Sequence, residues 1–317
     1  MSTVTKLRPV RVILRRGVTA AALLGVCVLV LQVSDSINAI PQVSAAPALE
    51  SQAPFGMAAG SDHEFFLTHS RIIPVGRRAI YVPILMYHYI RPAPNKFTDR
   101  LGWNLTVTPA DFQAQMTWLA LNGYHPIDFN DLRAYFAGRT PLPAKPVVIT
   151  LDDGYSSLYT RAYPILRSLN FKAVAYIVTS FVGQSRYVTA AQVIEMDRNG
   201  IEIASHTIDH ANLARVSLYW ATYQLSASKA WLQRLVGHPV VDFAYPSGKF
   251  DLMVVGALQA TGYDTAVTEM GGTIHSRADR YTWTRVRVGG GEALSDFIHY
   301  LGPIEPSVEV TGVTATQ

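Results

Sequence analysis

The chain has one cysteine among its 317 residues, Cys27, and it lies inside an N-terminal apolar run. The remainder therefore holds no disulfide, no thiolate metal ligand and no cysteine nucleophile. Any metal site downstream must be assembled from His, Asp and Glu. Charge is scarce as well, with 16% charged against 49% hydrophobic residues. The net charge of +4 is concentrated in Lys6, Arg8, Arg11, Arg15 and Arg16, without which the balance is near neutral. No basic patch with interleaved aromatics occurs elsewhere, which excludes nucleic acid as a partner. There is also no internal repeat, which excludes solenoids and propellers.

The five basic residues precede an apolar run from Val18 to Val33, broken only by Thr19 and Gln32. Basic-then-apolar is the order of an export signal. The run is also near the lower limit for spanning a bilayer, so a signal anchor attached through residues 18–33 is the alternative. The small residues Val43-Ser44-Ala45-Ala46 offer a cleavage site. Residues 1–45 are thus assigned to a signal peptide or anchor, and the rest to an extracytoplasmic position, secreted or membrane-anchored. Residues 46–80, rich in Ala, Pro, Ser and Gly without a period, read as a flexible linker. The folded domain is expected over 81–301, with a C-terminal tail at 302–317.

Within that domain strand-like and helix-like segments alternate. Short apolar runs at Val82–Tyr87, Pro146–Leu151, Ala173–Val178, Ile201–Ser205, Val240–Tyr245, Thr265–Thr268 and Thr284–Val288 read as strands. Between them, helices are expected near 109–122, 163–169, 190–198, 218–236, 252–260 and 293–301. The first is signalled by Thr108 as N-cap, Pro109 at its first position and Asp111 in its first turn, with Phe112, Met116, Leu119 and Ala120 as its apolar face. Such alternation implies parallel βαβ units. The fold class is α/β, a distorted (β/α) barrel of about seven parallel strands, with an open doubly wound sheet as the alternative.

Polar clusters follow four of these strands: Tyr87-His88, Asp152-Asp153, Ser205-His206 and Tyr245-Pro246. A barrel collects such strand ends on one face, where active sites form. Asp152 and Asp153 end a buried strand, where unpaired charge is costly. Strict alternation would send them to opposite faces, and Gly154 permits the break that brings both to one site. His206 and His210, four apart after another buried strand, join Asp153 as a two-His-one-carboxylate set suited to zinc or another first-row divalent ion. Arg285 and Arg287 alternate with Val286 and Val288 and share one face of the last strand. They are either salt-bridged barrel residues or candidates for orienting a catalytic carboxylate. The same ligand set suits iron(II) oxygenases, but those are usually all-β.

Taken together, Thr150-Leu151-Asp152-Asp153-Gly154, His206-Thr207-Ile208-Asp209-His210 and Pro83–His88 resemble the polysaccharide deacetylases, the NodB-homology domains of carbohydrate esterase family 4, over roughly residues 81–301. The match is nearest to their secreted branch resembling poly-N-acetylglucosamine deacetylases. The resemblance implies a NodB-like barrel and a metal-dependent hydrolase that removes N-acetyl groups from an N-acetylglucosamine-containing polysaccharide. It implies Asp153, His206 and His210 as metal ligands, Zn2+ first with Co2+ or Ni2+ possible, Asp152 as catalytic base and His88 as general acid. Tyr245 would serve the oxyanion or substrate. The chain departs from the family at the third motif, where Ala244 stands in the arginine position. Arg285 and Arg287 are the candidates to replace that arginine. The departure also keeps a catalytically impaired, glycan-binding relative as the alternative, beside deacetylases of peptidoglycan or acetylated xylan and, on the same fold, a small-molecule amidase.

Overall fold

The computed structural model describes residues 79–302. The expected signal or anchor segment, including residues 18–33, the linker up to residue 78 and the tail from residue 303 lie outside the described residues. Among the described residues no helix is long and apolar enough to cross a membrane. Ala79 and Ile80, assigned above to the linker, instead open strand β1 (Ala79–Tyr81) and are buried. They are apolar and gain more from packing than a linker residue would.

The strands that follow are β2 (Ile84–Tyr87), β3 (Tyr89–Ile90), β4 (Thr106–Val107), β5 (His125–Ile127), β6 (Pro146–Leu151), β7 (Ala173–Ile177), β8 (Ile201–Ser205), β9 (Asp242–Ala244), β10 (Thr265–Gly271), β11 (Ile274–Ser276) and β12 (Trp283–Arg287). Seven of them close into a parallel barrel in the order β2, β12, β10, β9, β8, β7, β6, with β6 returning to pair with β2. β5 adds beside the start of β6, and β1 pairs antiparallel with β11 outside the barrel. This is the (β/α) barrel expected from the alternation; the open sheet is excluded by the β2–β6 pairing.

The helices are α1 (Arg100–Asn104), α2 (Pro109–Leu121), α3 (Phe129–Phe136), α4 (Tyr163–Ser168), α5 (Ala190–Arg198), α6 (Leu218–Val236), α7 (Leu252–Ala260) and α8 (Leu294–Tyr300). Their ends follow local chemistry. Thr108 caps α2 by accepting from the Asp111 N–H, Thr189 and Gln192 form a capping box on α5, and Ser217 caps α6. Gly237 stops α6 in a left-handed conformation, φ 83°. On α2 the expected Ala120 is exposed, while Gln115 is buried because the Tyr87 hydroxyl donates to its Oε1 at 2.9 Å.

Strand alternation sorts the core into two layers. Val147, Ile149 and Leu151 of β6 face the helices with Leu85, Tyr87 and Ile203. Ile84, Val148, Val174, Ala204, Ala244, Val267 and Trp283 fill the barrel interior. The N-terminal mouth is plugged by α3, which the periodicity did not reveal. Its Phe129 stacks on Trp283 at 5.7 Å, and its Arg133 bonds both Asp242 and Glu202 at the starts of β9 and β8. That end is built for stability and leaves the opposite end for chemistry.

Candidate active site

Interior parity decides which side chains reach the C-terminal mouth. On β2, His88 continues the inward series of Ile84 and Met86. On β6, Asp152 continues Val148 and Thr150. On β8, His206 continues Ala204. Asp153 has the outward parity, yet it joins the site because the chain turns there. The break falls on Asp153 itself, φ 71°, as well as on Gly154, φ 75°. Thr207 at φ 68° and His210 at φ 61° are also left-handed. Each such non-glycine residue stores of order 1–3 kcal/mol, a strain that collects at functional sites.

Asp153 Oδ1 lies 3.3 Å from Nε2 of His206 and 3.3 Å from Nε2 of His210. Neither contact is aligned as a hydrogen bond, so this buried oxygen has no hydrogen-bond partner. His206 Nδ1 sits 2.8 Å from the Ala244 carbonyl, which can only accept. Nδ1 therefore carries a proton, and Nε2 is the nitrogen turned to Asp153. The backbone carbonyl on Nδ1 orients the ring from behind, as the outer partner of a metal-bound histidine does. All three ligand atoms lie within 4.8 Å of one another. The donor set and the orphaned oxygen fit a divalent metal ion.

Asp152 lies beside this cluster and is held by a different partner. Arg285, from the inward series of β12, grips it bidentately, with Nη1 to Oδ1 at 2.8 Å and Nη2 to Oδ2 at 2.7 Å. Arg285 Nη1 also donates to Thr150 Oγ1 at 3.0 Å, and Nε donates to the Thr268 carbonyl at 2.9 Å. Both members of the pair are about 1% exposed. Burial opposes ionisation of Asp152, but the guanidinium outweighs it and holds the carboxyl below its ordinary range. His88 Nε2 is 3.9 Å from Asp152 Oδ2. Burial pulls the His88 pKa down, against the two aspartates that raise it.

Two expected site residues lie elsewhere. Tyr245 has the outward parity of Phe243 and packs under α6 and α7 against Phe250. Its hydroxyl donates to the Tyr281 carbonyl at 2.9 Å, and its N–H donates to Val267 O at 3.2 Å, so no Tyr245 donor remains for a substrate. Arg287 shares the face of Arg285 but sits one layer higher, half-buried, and pairs with Glu269 rather than Asp152. The rim carries an aromatic stack. Tyr89 lies on Tyr155 at 3.8 Å and Tyr155 on Tyr187 at 5.2 Å, with the Arg91 guanidinium over the far face of Tyr89. Burial, then the Asp153 charge, keep the Tyr155 phenol protonated.

The profile of the family described as Polysaccharide deacetylase matches residues 139–266, a span that contains Asp152, Asp153, His206 and His210. YxkH of Bacillus subtilis strain 168, a protein that carries this family's name, is 31% identical over 220 residues, covering 69% of this chain and 76% of that protein. The chain belongs to the polysaccharide deacetylase family. It is also 29% identical over 237 residues to the poly-beta-1,6-N-acetyl-D-glucosamine N-deacetylase of Escherichia coli K12, covering 61% of this chain but only 35% of that longer protein. Among solved structures, the Streptococcus pyogenes deacetylase PplD in complex with acetate superposes with a TM-score of 0.65 at 26% identity, over 70% of this chain and 99% of that one. IcaB from Ammonifex degensii shares the fold, with a TM-score of 0.62 at 21% identity over 71% and 98% of the two chains.

Proposed function

We propose that the chain is a metal-dependent hydrolase that removes N-acetyl groups from an extracellular or cell-surface polysaccharide containing N-acetylglucosamine. The observation that carries this reading is the convergence of Asp153, His206 and His210 around one orphaned carboxylate oxygen, beside the buried Asp152–Arg285 pair. Asp153, His206 and His210 hold the ion, Zn2+ first and Co2+ or Ni2+ as substitutes. When bound, it supplies Lewis-acid polarisation of the acetyl carbonyl and makes water acidic enough to attack at neutral pH.

The chain's own groups carry the protons. Asp152, kept ionised by Arg285, accepts the proton of the attacking water. His88 is neutral at rest because burial lowers its pKa, and 3.9 Å separates its Nε2 from Asp152 Oδ2. The proton passes across that gap and on to the amine, which leaves poorly until protonated. Acetate and a glucosamine unit are the products. Tyr245, turned into the core with its hydroxyl and N–H both engaged, supplies no oxyanion donor.

Arg285 removes the main support for a catalytically impaired glycan-binding relative, since it supplies from β12 the guanidinium that Ala244 lacks. The export signal expected at the N-terminus is consistent with a polymer substrate and a secreted or membrane-anchored enzyme. The test is acetate release from N-acetylglucosamine oligomers by the purified chain, metal-loaded and then chelated, beside His206→Ala. Release that requires both metal and His206 is expected. Release that survives chelation and His206→Ala refutes the reading.

A further inference from the structure

Two polar side chains interrupt the buried face of α6, which otherwise carries Ala221, Leu225 and Leu232. They are Gln224 and Ser228, and both are fully buried. Polar groups on such a face need partners. Ser228 docks the helix on the barrel: its Oγ meets Ser205 Oγ at 2.9 Å and donates to the Gln224 carbonyl at 2.7 Å. Gln224 reaches further. Its Oε1 accepts the Ile208 N–H at 2.9 Å, in the middle of the loop between His206 and His210.

That loop is strained on both sides of the contact. Thr207 and His210 are left-handed, and Thr207 is β-branched, the residue type that tolerates this region least. Thr179 N–H holds the Thr207 carbonyl at 3.2 Å, and Ser180 N–H holds the Ile208 carbonyl at 2.8 Å. Gln224 satisfies the donor that faces α6. Without it, a partly buried N–H loses its partner and the loop gains by relaxing toward ordinary φ. His210, whose side chain is 33% exposed, is the ligand free to move away from Asp153.

We propose that Gln224 is a positioning residue, which sets the spacing of His206 and His210 for a divalent cation by anchoring Ile208. The inference rests on the metal reading given above. Partners that support metal ligands from behind change affinity about 10–100-fold.

The experiment titrates Co2+ into the metal-free full chain and follows the visible absorption of the bound ion, which reports ligand geometry as well as affinity. Gln224→Met removes the acceptor at similar volume, and Gln224→Asn retracts the carboxamide by one methylene and spares the fold if Met does not. Ser228→Ala is the control, because it removes a buried hydrogen bond of the same helix that ends on Ser205, at the close of β8, and leaves the Ile208 contact intact. The expected result is Co2+ affinity about 10–100-fold weaker and an altered spectrum in the Gln224 variants, against unchanged affinity and a lower Tm in Ser228→Ala. A folded Gln224 variant that binds Co2+ as wild type does overturns the proposal. So does an equal loss of affinity in Ser228→Ala. Wild-type chain that binds no Co2+ overturns the metal reading itself.

Discussion

Replacing Arg285 by Met is the most informative single change to this site. The side chain is 1% exposed and spends four hydrogen bonds on three partners, two of them on the equally buried Asp152. Methionine fills similar volume but leaves the carboxylate without its cation. Removing one partner of a buried pair destabilises by about 3–5 kcal/mol. In a domain of this size each kcal/mol moves Tm by roughly 2–4 °C, so Arg285→Met lowers Tm by roughly 6–20 °C. Asp152→Asn in the Arg285→Met background removes the stranded charge and recovers most of that loss. Thermal unfolding of the four chains of this double-mutant cycle gives the coupling directly. Activity follows the same logic. Asp152→Asn alone loses about 10²–10⁴-fold in acetate release, and adding Arg285→Met to it loses little more, because the arginine acts through the aspartate. A Tm for Arg285→Met within 2 °C of wild type, or full additivity of the two changes, refutes the assignment of Arg285 as the partner of Asp152.

Arg287→Ala tests the neighbouring arginine: its partner is the half-exposed Glu269, so acetate release falls by less than about fivefold, the ceiling for an exposed pair. Arg133→Met strands Glu202 and Asp242 at the closed mouth of the barrel. Tm falls by an amount similar to that of Arg285→Met, about 3–5 kcal/mol in stability, while Co2+ affinity, measured by the same titration, is unchanged. His238 Nε2 lies 2.8 Å from Asp197 Oδ1; burial lowers its pKa, but the Asp197 bond outweighs it and the net shift is upward. A raised histidine contributes stability that is full below the unfolded pKa and lost as pH rises through the folded one. NMR titration should find this ring above its ordinary value, and Asp197→Asn should return it.

The alternation of strand and helix, the helix ends and the two polar motifs that meet at the barrel mouth were legible in the sequence because each depends on neighbours within a few residues. Caps, left-handed stops and short apolar runs are local physics, and β6, β8, α5, α6 and α7 begin and end where that physics places them. Orientation was not legible. Parallel strands buried on both faces read as continuous apolar runs and hide their parity. Nothing in Phe243-Ala244-Tyr245 tells that Ala244 faces the interior while Tyr245 faces the helices. The plug formed by α3 was hidden for a related reason: it earns its place through Trp283, Glu202 and Asp242, all distant in the chain.

The sequence by itself determined which residues are available for chemistry: with no thiol after Cys27, any metal site has to be His and carboxylate, and Asp153, His206 and His210 are the set at ligand spacing. Only the tertiary structure decided how they are held. Barrel closure brings β12 next to β2 and across from β6, and so delivers Arg285 to an aspartate 133 positions away. A guanidinium lost from one strand can be replaced from another because the interior of a closed barrel is shared by all its strands. Spacing along the chain carries no record of that.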